Sequence, residues 1–156
     1  MAWIELASAV WSTGSSFGTG TFSARRFLYT EFYVKSSGNP RPTLQFNSDC
    51  LSNYSNRVAA NGSACDTTTF NQCEIRTHIG TSVAQLTTAY IANDCGDEKL
   101  VAFEGTGQNT AGASNIVDRI EGTGKWDNTA QITEIDVVDV CANAFTAGRI
   151  TVWGTD

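Results

Sequence analysis

Proline, histidine and clustered basic residues are scarce in this chain, and each scarcity closes off a class of protein. Of 156 residues, 2 are proline and 1 is histidine. A single imidazole, His78, cannot build a histidine-based metal centre, and as a lone general base it has no identifiable nucleophile beside it. The 10 Lys and Arg residues are scattered, with only Arg25 and Arg26 adjacent, and 16 Asp and Glu outnumber them to give a net charge of −6. Nothing gathers positive charge for phosphate, so no nucleic-acid partner is expected. No apolar run approaches the ~20 residues that span a bilayer as a helix, and no membrane partner is expected either. The opening Met1 to Glu5 lacks the basic and apolar regions of a signal peptide, so synthesis in a cytoplasm is the expectation. C-x-x-C pairs are missing, which removes zinc ribbons and thioredoxin-type motifs.

Helical periodicity is also missing, since no long window keeps apolar residues at a 3.6 spacing. What remains is strand text. Hydrophobic residues make up 41% of the chain, charged residues 17%, and there are 14 glycines. Alternation of the kind a half-buried strand imposes is plain in Trp3 to Leu6, in Leu86 to Tyr90 and in Arg149 to Trp153. Phe27 to Val34 is a run of aromatic and β-favouring residues with no breaker, the best central strand. Turn chemistry at Ser36 to Pro42 followed by Thr43 to Phe46 suggests a hairpin over Phe27 to Phe46. Asn47 to Gln72 reads as a long polar excursion, and loops of that length are usually functional. Further strands are expected at Cys73 to Ile79, Ser82 to Ile91, Lys99 to Glu104, Ile116 to Gly124 and Ala130 to Val140, the last with a bulge near Thr133 or Glu134. The final strand, Phe145 to Gly154, needs a partner, and Ala130 to Val140 is the expected one.

These segments predict an all-β protein: one domain over 1–156, an antiparallel β-sandwich or jelly roll of about eight to ten strands. Trp3, Trp11, Phe32, Phe46, Tyr90, Phe103, Trp126 and Trp153 are the expected inter-sheet residues.

Chemistry-bearing patterns are weak. Gly14-Ser15-Ser16-Phe17-Gly18 matches G-x-S-x-G, but a nucleophile elbow needs a strand before and a helix after it. Asp94, Asp97 and Glu98 cluster beside Gly96 without the alternation of an EF-hand loop. Asp136 and Asp139 fall on opposite faces of an unbulged strand and do not form a glycosidase pair. Asn53-Tyr54-Ser55 and Asn61-Gly62-Ser63 fit a glycosylation pattern but read as polar loop. No catalytic residue, metal ligand or cofactor site is assigned, and no enzyme activity is expected. The five cysteines, Cys50, Cys65, Cys73, Cys95 and Cys141, are either reduced thiols or disulfide partners formed in an oxidising medium. Their odd number leaves at least one for an inter-subunit bond or free.

The chain resembles the small β-sandwich proteins and domains of tailed-bacteriophage virions. The resemblance is carried by W-I-E-L-A, by F-L-Y-T-E-F-Y-V, by L-Q-F-N-S-D-C-L-S-N-Y from Leu44 to Tyr54, and by Y-I-A-N at Tyr90 to Asn93. G-T-G-K-W at Gly122 to Trp126, A-Q-I-T-E-I-D-V and the ending F-T-A-G-R-I-T-V-W-G complete the set. In that family the middle block runs like F-N-G-D followed by N-Y, and the end like F-x-x-G-S-x-x-L-Y-G. Here Ser48, Arg149, Val152 and Trp153 depart from those patterns. The resemblance implies a non-enzymatic structural protein on the virion surface, a capsid-decoration or neck and tail accessory subunit. Its implied partners are copies of itself, with a trimer favoured, and other virion proteins. The alternative is a receptor-binding module for host-surface glycan, with Asn53, Tyr54 and Phe70 as the recognition loop.

Overall fold

The computed structural model describes residues 2–36, 38, 40–70, 73–74, 84–108, 112–140 and 145–156, with 65–70 and 73–74 followed by their backbone alone. Strand β1 is Ile4–Trp11, β2 Ser16–Gly18, β3 Phe27–Ser36, β4 Pro42–Phe46, β5 Tyr54–Ala60 and β6 Ser63–Phe70. Then come β7 at Cys73–Glu74, β8 at Ala84–Ala92, β9 at Lys99–Gly107, β10 at Asp118–Trp126, β11 at Ile135–Asp139 and β12 at Phe145–Thr155. Eight strands form one antiparallel sheet in the order β1-β12-β3-β8-β9-β10-β5-β6, and four form a second, β2-β11-β4-β7. The protein is an all-β sandwich, as the alternation predicts.

In β3, Leu28, Thr30, Phe32, Val34 and Ser36 are buried while the residues between them face outward, because successive side chains of an extended chain point to opposite faces. The inward rows of β12 (Ile150, Val152), β8 (Ala89, Ile91), β9 (Val101, Phe103) and β10 (Ile120, Trp126) continue the same face. Leu44, Phe46, Ile135 and Val137 of the smaller sheet close over it in a single cluster. Each large apolar side chain so buried contributes about 1.5–3 kcal/mol. Gly148 of β12 is one place where a glycine is required: a Cβ there would lie 2.0 Å from the Trp11 ring and 2.7 Å from the Tyr33 carbonyl.

Two expected pairings are corrected. Residues 27–46 do not make a hairpin. The partners of β3 are β12 and β8, whereas β4 pairs with β11 and β7 in the other sheet, so Ser36 to Pro42 carries the chain between layers. The closing strand does not pair with Ala130 to Val140 either; β12 lies between β1 and β3. Only Ile135–Asp139 of that stretch is strand. Ahead of it, side-chain amides replace the ladder. The Asn47 Oδ1 accepts the Thr133 and Glu134 N–H groups at 2.8 and 3.1 Å, and its Nδ2 donates to the Gln131 carbonyl at 2.9 Å. Asn93 Oδ1 accepts the Ile132 N–H at 2.6 Å, and its Nδ2 donates to the Ile132 and Arg25 carbonyls at 3.1 and 2.9 Å. Backbone groups that lose a strand neighbour need such partners when buried. The phase slip expected as a bulge is therefore an amide-clamped connection.

The polar excursion is mostly strand as well. β5 and β6 pair from Ala60↔Ser63 to Tyr54↔Phe70, joined by Asn61 and Gly62 at φ 49° and 87°. Positive φ at both central residues is the type I′ hairpin turn, for which Asn-Gly is the preferred pair.

Candidate functional site

The second sheet covers one face of the eight-stranded sheet, and no described residue outside the sheet's own strands and Trp3 lines the trough on the other. Register places its outward side chains in rows that cross the strands. One row runs Glu5, Trp153, Tyr29, Tyr90, Ala102, Thr123, Arg57. Beside it on one side lie Thr155, Phe27, Ala92, Leu100, Lys125 and Ser55. On the other lie Thr151, Glu31, Thr88, Glu104, Glu121 and Ala59.

The first row begins as an aromatic ladder. The Tyr29 ring centroid is 5.4 Å from Trp153 and 4.8 Å from Tyr90, and Trp3 meets Tyr29 edge-on at 6.4 Å. Such ring pairs contribute about 0.5–1.5 kcal/mol beyond their buried area. Burial, together with the charges of Glu31, Tyr90 and Glu104, raises the Tyr29 hydroxyl above the ordinary tyrosine range. After Tyr90 the row drops to Ala102 and Thr123, and this step makes a groove of about 900 Å³. Trp3, Phe27 and Tyr90 stand on one side of it and Ser55, Arg57 and Lys125 on the other. A second hollow of about 570 Å³ shares Tyr90, Ala102, Thr123 and Arg57 and extends over Thr88, Glu104 and Glu121, so the two form one trough. Trp3, Phe27, Leu100 and Tyr90 are 46, 41, 58 and 59% exposed, a concentration of large apolar surface on one face of the sheet.

The charges around the trough are mostly engaged. Glu31 pairs with Arg149 at 3.5 Å, Glu121 with Arg119 at 2.5 Å and Lys125 with Glu98 at 3.0 Å. Glu104 faces Glu121 directly across the strand pair and has no cation or hydrogen-bond donor among the described residues.

The recognition loop expected at Asn53, Tyr54 and Phe70 is not a surface platform at Tyr54. That residue is 1% exposed. Its hydroxyl accepts the Phe46 N–H at 3.0 Å and donates to the Asp49 carbonyl at 3.1 Å, while its ring stacks on Trp126. Trp126 Nε1 donates to the Asp49 carboxylate at 2.8 Å and Asn53 Nδ2 does so at 2.9 Å. Burial pushes the Asp49 carboxyl up, but the bonds from Asn53, the Leu51 N–H and Trp126 outweigh it and leave it below the ordinary range. The block from Leu44 to Tyr54 is a corner of the scaffold. Phe70 pairs with Tyr54 through its backbone. The expected inter-sheet aromatics divide in the same way: Phe32, Phe46, Phe103 and Trp126 are core, Trp11 packs against it, and Trp3, Tyr90 and Trp153 belong to the outer face.

The remaining sequence candidates stay apart. Ser16 lies on β2, an edge strand of the smaller sheet, and no helix follows it. Asp94 bonds Arg26 at 2.8 Å and Glu98 bonds Lys125, so two of the acidic turn's three carboxylates are spent on separate cations. Cys50 and Cys95 are exposed free thiols. Cys65 and Cys73 lie on strands β6 and β7, while Cys141 and His78 lie outside the described residues. The outer-face ladder went unassigned in the sequence because alternation shows which residues share a face, not which face the second sheet covers.

No protein-family model matches the chain, and no curated protein is similar to it in sequence. Among solved structures it has a slight likeness to the SPRY domain of human HERC1, at TM-score 0.29 and 8% identity over 86% of this chain and 89% of that one. FlhE gives a TM-score of 0.19 at 7% identity over 100% of both chains. The infectious bursal disease virus Gt strain structure gives 0.14 at 9% identity, over 97% of this chain and 41% of that one. Likeness at this level carries no argument about function.

Proposed function

We propose that this chain is a non-enzymatic structural subunit of a tailed-phage virion, displayed on the particle surface and assembled with copies of itself through strand β1. The resemblance of its sequence blocks to small phage β-sandwich proteins supports the virion reading. One observation carries the assembly reading: among the described residues β1 ends the eight-stranded sheet and pairs with β12 alone. Its unpaired edge runs through the uncharged stretch Ala7 to Trp11, where Val10 is 81% exposed. Monomeric proteins usually blunt such an edge with lysine, proline or a covering loop, because its free N–H and C=O groups template a further strand. Here a bulge between Glu5 and Ala7 and the Glu5 carboxylate lie at one end of β1, and Ala7 to Trp11 carries no charge or proline. Pairing of β1 with β6 of the next copy is head-to-tail and makes a ring, such as a trimer, where the rotation between copies closes and a filament where it does not; pairing of β1 with itself closes as a dimer. Exposed Cys50 and Cys95 are available to staple neighbours once the particle leaves a reducing cytoplasm.

Native mass spectrometry of the purified chain tests the assembly, and localisation of the chain in a purified particle tests the setting. We expect a discrete oligomer that Val10→Lys converts to a monomer still folded by circular dichroism, with a melting temperature no longer dependent on concentration. A wild-type chain that stays monomeric at high micromolar concentration overturns the edge contact.

A further inference from the structure

We infer that the trough on the outer face is a binding site for a neutral oligosaccharide, with Trp3 and Tyr90 as stacking platforms and Glu104 as a hydroxyl acceptor. This goes beyond subunit assembly, because edge pairing extends the sheet in its own plane and leaves the face open.

The geometry has the two features a sugar needs. A hexose presents an apolar C–H face and a rim of hydroxyls. The platforms supply the first. Tyr90 is held against Tyr29, which is itself packed on Trp153 and Trp3, so little rotamer freedom is lost when a ligand stacks on it. Beyond Tyr90 the floor is Ala102 and Thr123, and the far wall is Arg57 on β5. Three strand spacings separate Tyr90 from Arg57, about 14 Å between backbones, enough for a sugar ring lying against the Tyr90 wall.

The polar rim is the second feature. On each strand the acidic row is offset from the aromatic row by two residues, roughly 7 Å. Glu104 there lies opposite Glu121, an arrangement that costs stability. Arg119 engages Glu121 and Arg149 engages Glu31, whereas Glu104 keeps its acceptor capacity for an incoming donor. Charge decides the ligand class. Lys125 is held by Glu98 and Arg57 is itself engaged, which leaves Glu104 as the unpaired charge among the described trough residues, so an acidic sugar would be repelled while neutral hydroxyls donate to the carboxylate. A second copy laid on this face would bring its own Glu104 toward the same acidic row, which disfavours a face-to-face dimer.

The test is tryptophan fluorescence and calorimetry of the intact oligomer titrated with neutral gluco-, galacto- and manno-oligosaccharides of about three to six units, beside sialylated and uronic-acid glycans, the length set to fill a groove of this size. We expect saturable binding of a neutral oligosaccharide. Tyr90→Ala and Ala102→Trp, which remove the platform and fill the floor, should each weaken it at least tenfold, and Glu104→Gln about tenfold. Val10→Lys should leave it in place, so loss of assembly and loss of binding are read separately. No binding of any neutral glycan, binding confined to acidic glycans, or binding indifferent to both Tyr90→Ala and Ala102→Trp overturns the inference. Since Ala102 is exposed, the Ala102→Trp variant keeps the test valid even if Tyr90→Ala unfolds.

Discussion

The two faces of the eight-stranded sheet are built from the same strands with opposite chemistry. On the inner face Phe32, Ile150, Val152, Phe103 and Trp126 are packed against the second sheet. On the outer face the neighbouring positions of those strands hold a partly exposed aromatic ladder, small residues and a row of glutamates. A face that only needed solubility would alternate charges and carry few large rings. The contrast between the two faces can be tested one substitution at a time.

The largest effect belongs to the inner face. Phe32→Ala should cost about 3–5 kcal/mol in chemical denaturation, because the surrounding layers cannot collapse into the hole, whereas Tyr90→Ala should change stability by less than about 1 kcal/mol. Equal losses would end the distinction between the faces. Next comes the amide clamp that holds residues 131–134 between the sheets. Asn93→Ala leaves buried Ile132 backbone groups unsatisfied and should cost about 2 kcal/mol; hydrogen exchange at Ile132 should accelerate in the same variant.

A smaller effect distinguishes the outer surface of the second sheet, where Asp136 is half-buried against Gly18. Burial and the charge of Glu134, partly opposed by the Ser48 hydroxyl, push its carboxyl up to about 6. A carboxyl that binds its proton more tightly folded than unfolded favours the native state below its unfolded pKa, and the benefit is lost as pH rises through the folded value. The contribution of Asp136 to stability should therefore fall between about pH 4 and 6. Asp136→Asn should flatten that part of the profile and stabilise the protein at pH 7 by about 1 kcal/mol, allowing for partial exposure. Asp49 and Asp156 act in the opposite sense and lower, since their depressed carboxyls remove stability only as pH drops below the ordinary carboxylate range. The smallest effect is on the trough itself: Glu104→Gln should raise stability by a few tenths of a kcal/mol by relieving its repulsion with Glu121, even as it weakens sugar binding. A variant that loses stability would mean that Glu104 serves the fold rather than a ligand.

Much of this was legible in the residues. Period-2 alternation located β1, β8 and β12 and the all-β class, since a strand must show its burial at every second residue, and a breaker-free aromatic run located β3. The Asn61-Gly62 turn, expected as polar loop, is a hairpin, although Asn-Gly is the pair favoured where both central residues have positive φ. Tyr54 was misplaced because an aromatic in polar text looks like a surface anchor, whereas folding carries it beneath the Asp49 corner to stack on Trp126. Trp3, Tyr90 and Trp153 were misplaced in the opposite direction, since apolar character alone cannot distinguish a core ring from one left on an open face.

By itself, then, the sequence determined the extended backbone, the partition of each strand into two faces and the turns that need positive φ, because these follow from local sterics and from the spacing of side chains along the chain. Only the tertiary structure decided which sheet each strand joins, that β12 lies between β1 and β3 while β11 goes to the other layer, and which face remains uncovered. Those outcomes depend on contacts between residues far apart in the chain, such as Trp11 lying over Gly148 and Asn93 holding Ile132, and no local pattern encodes them.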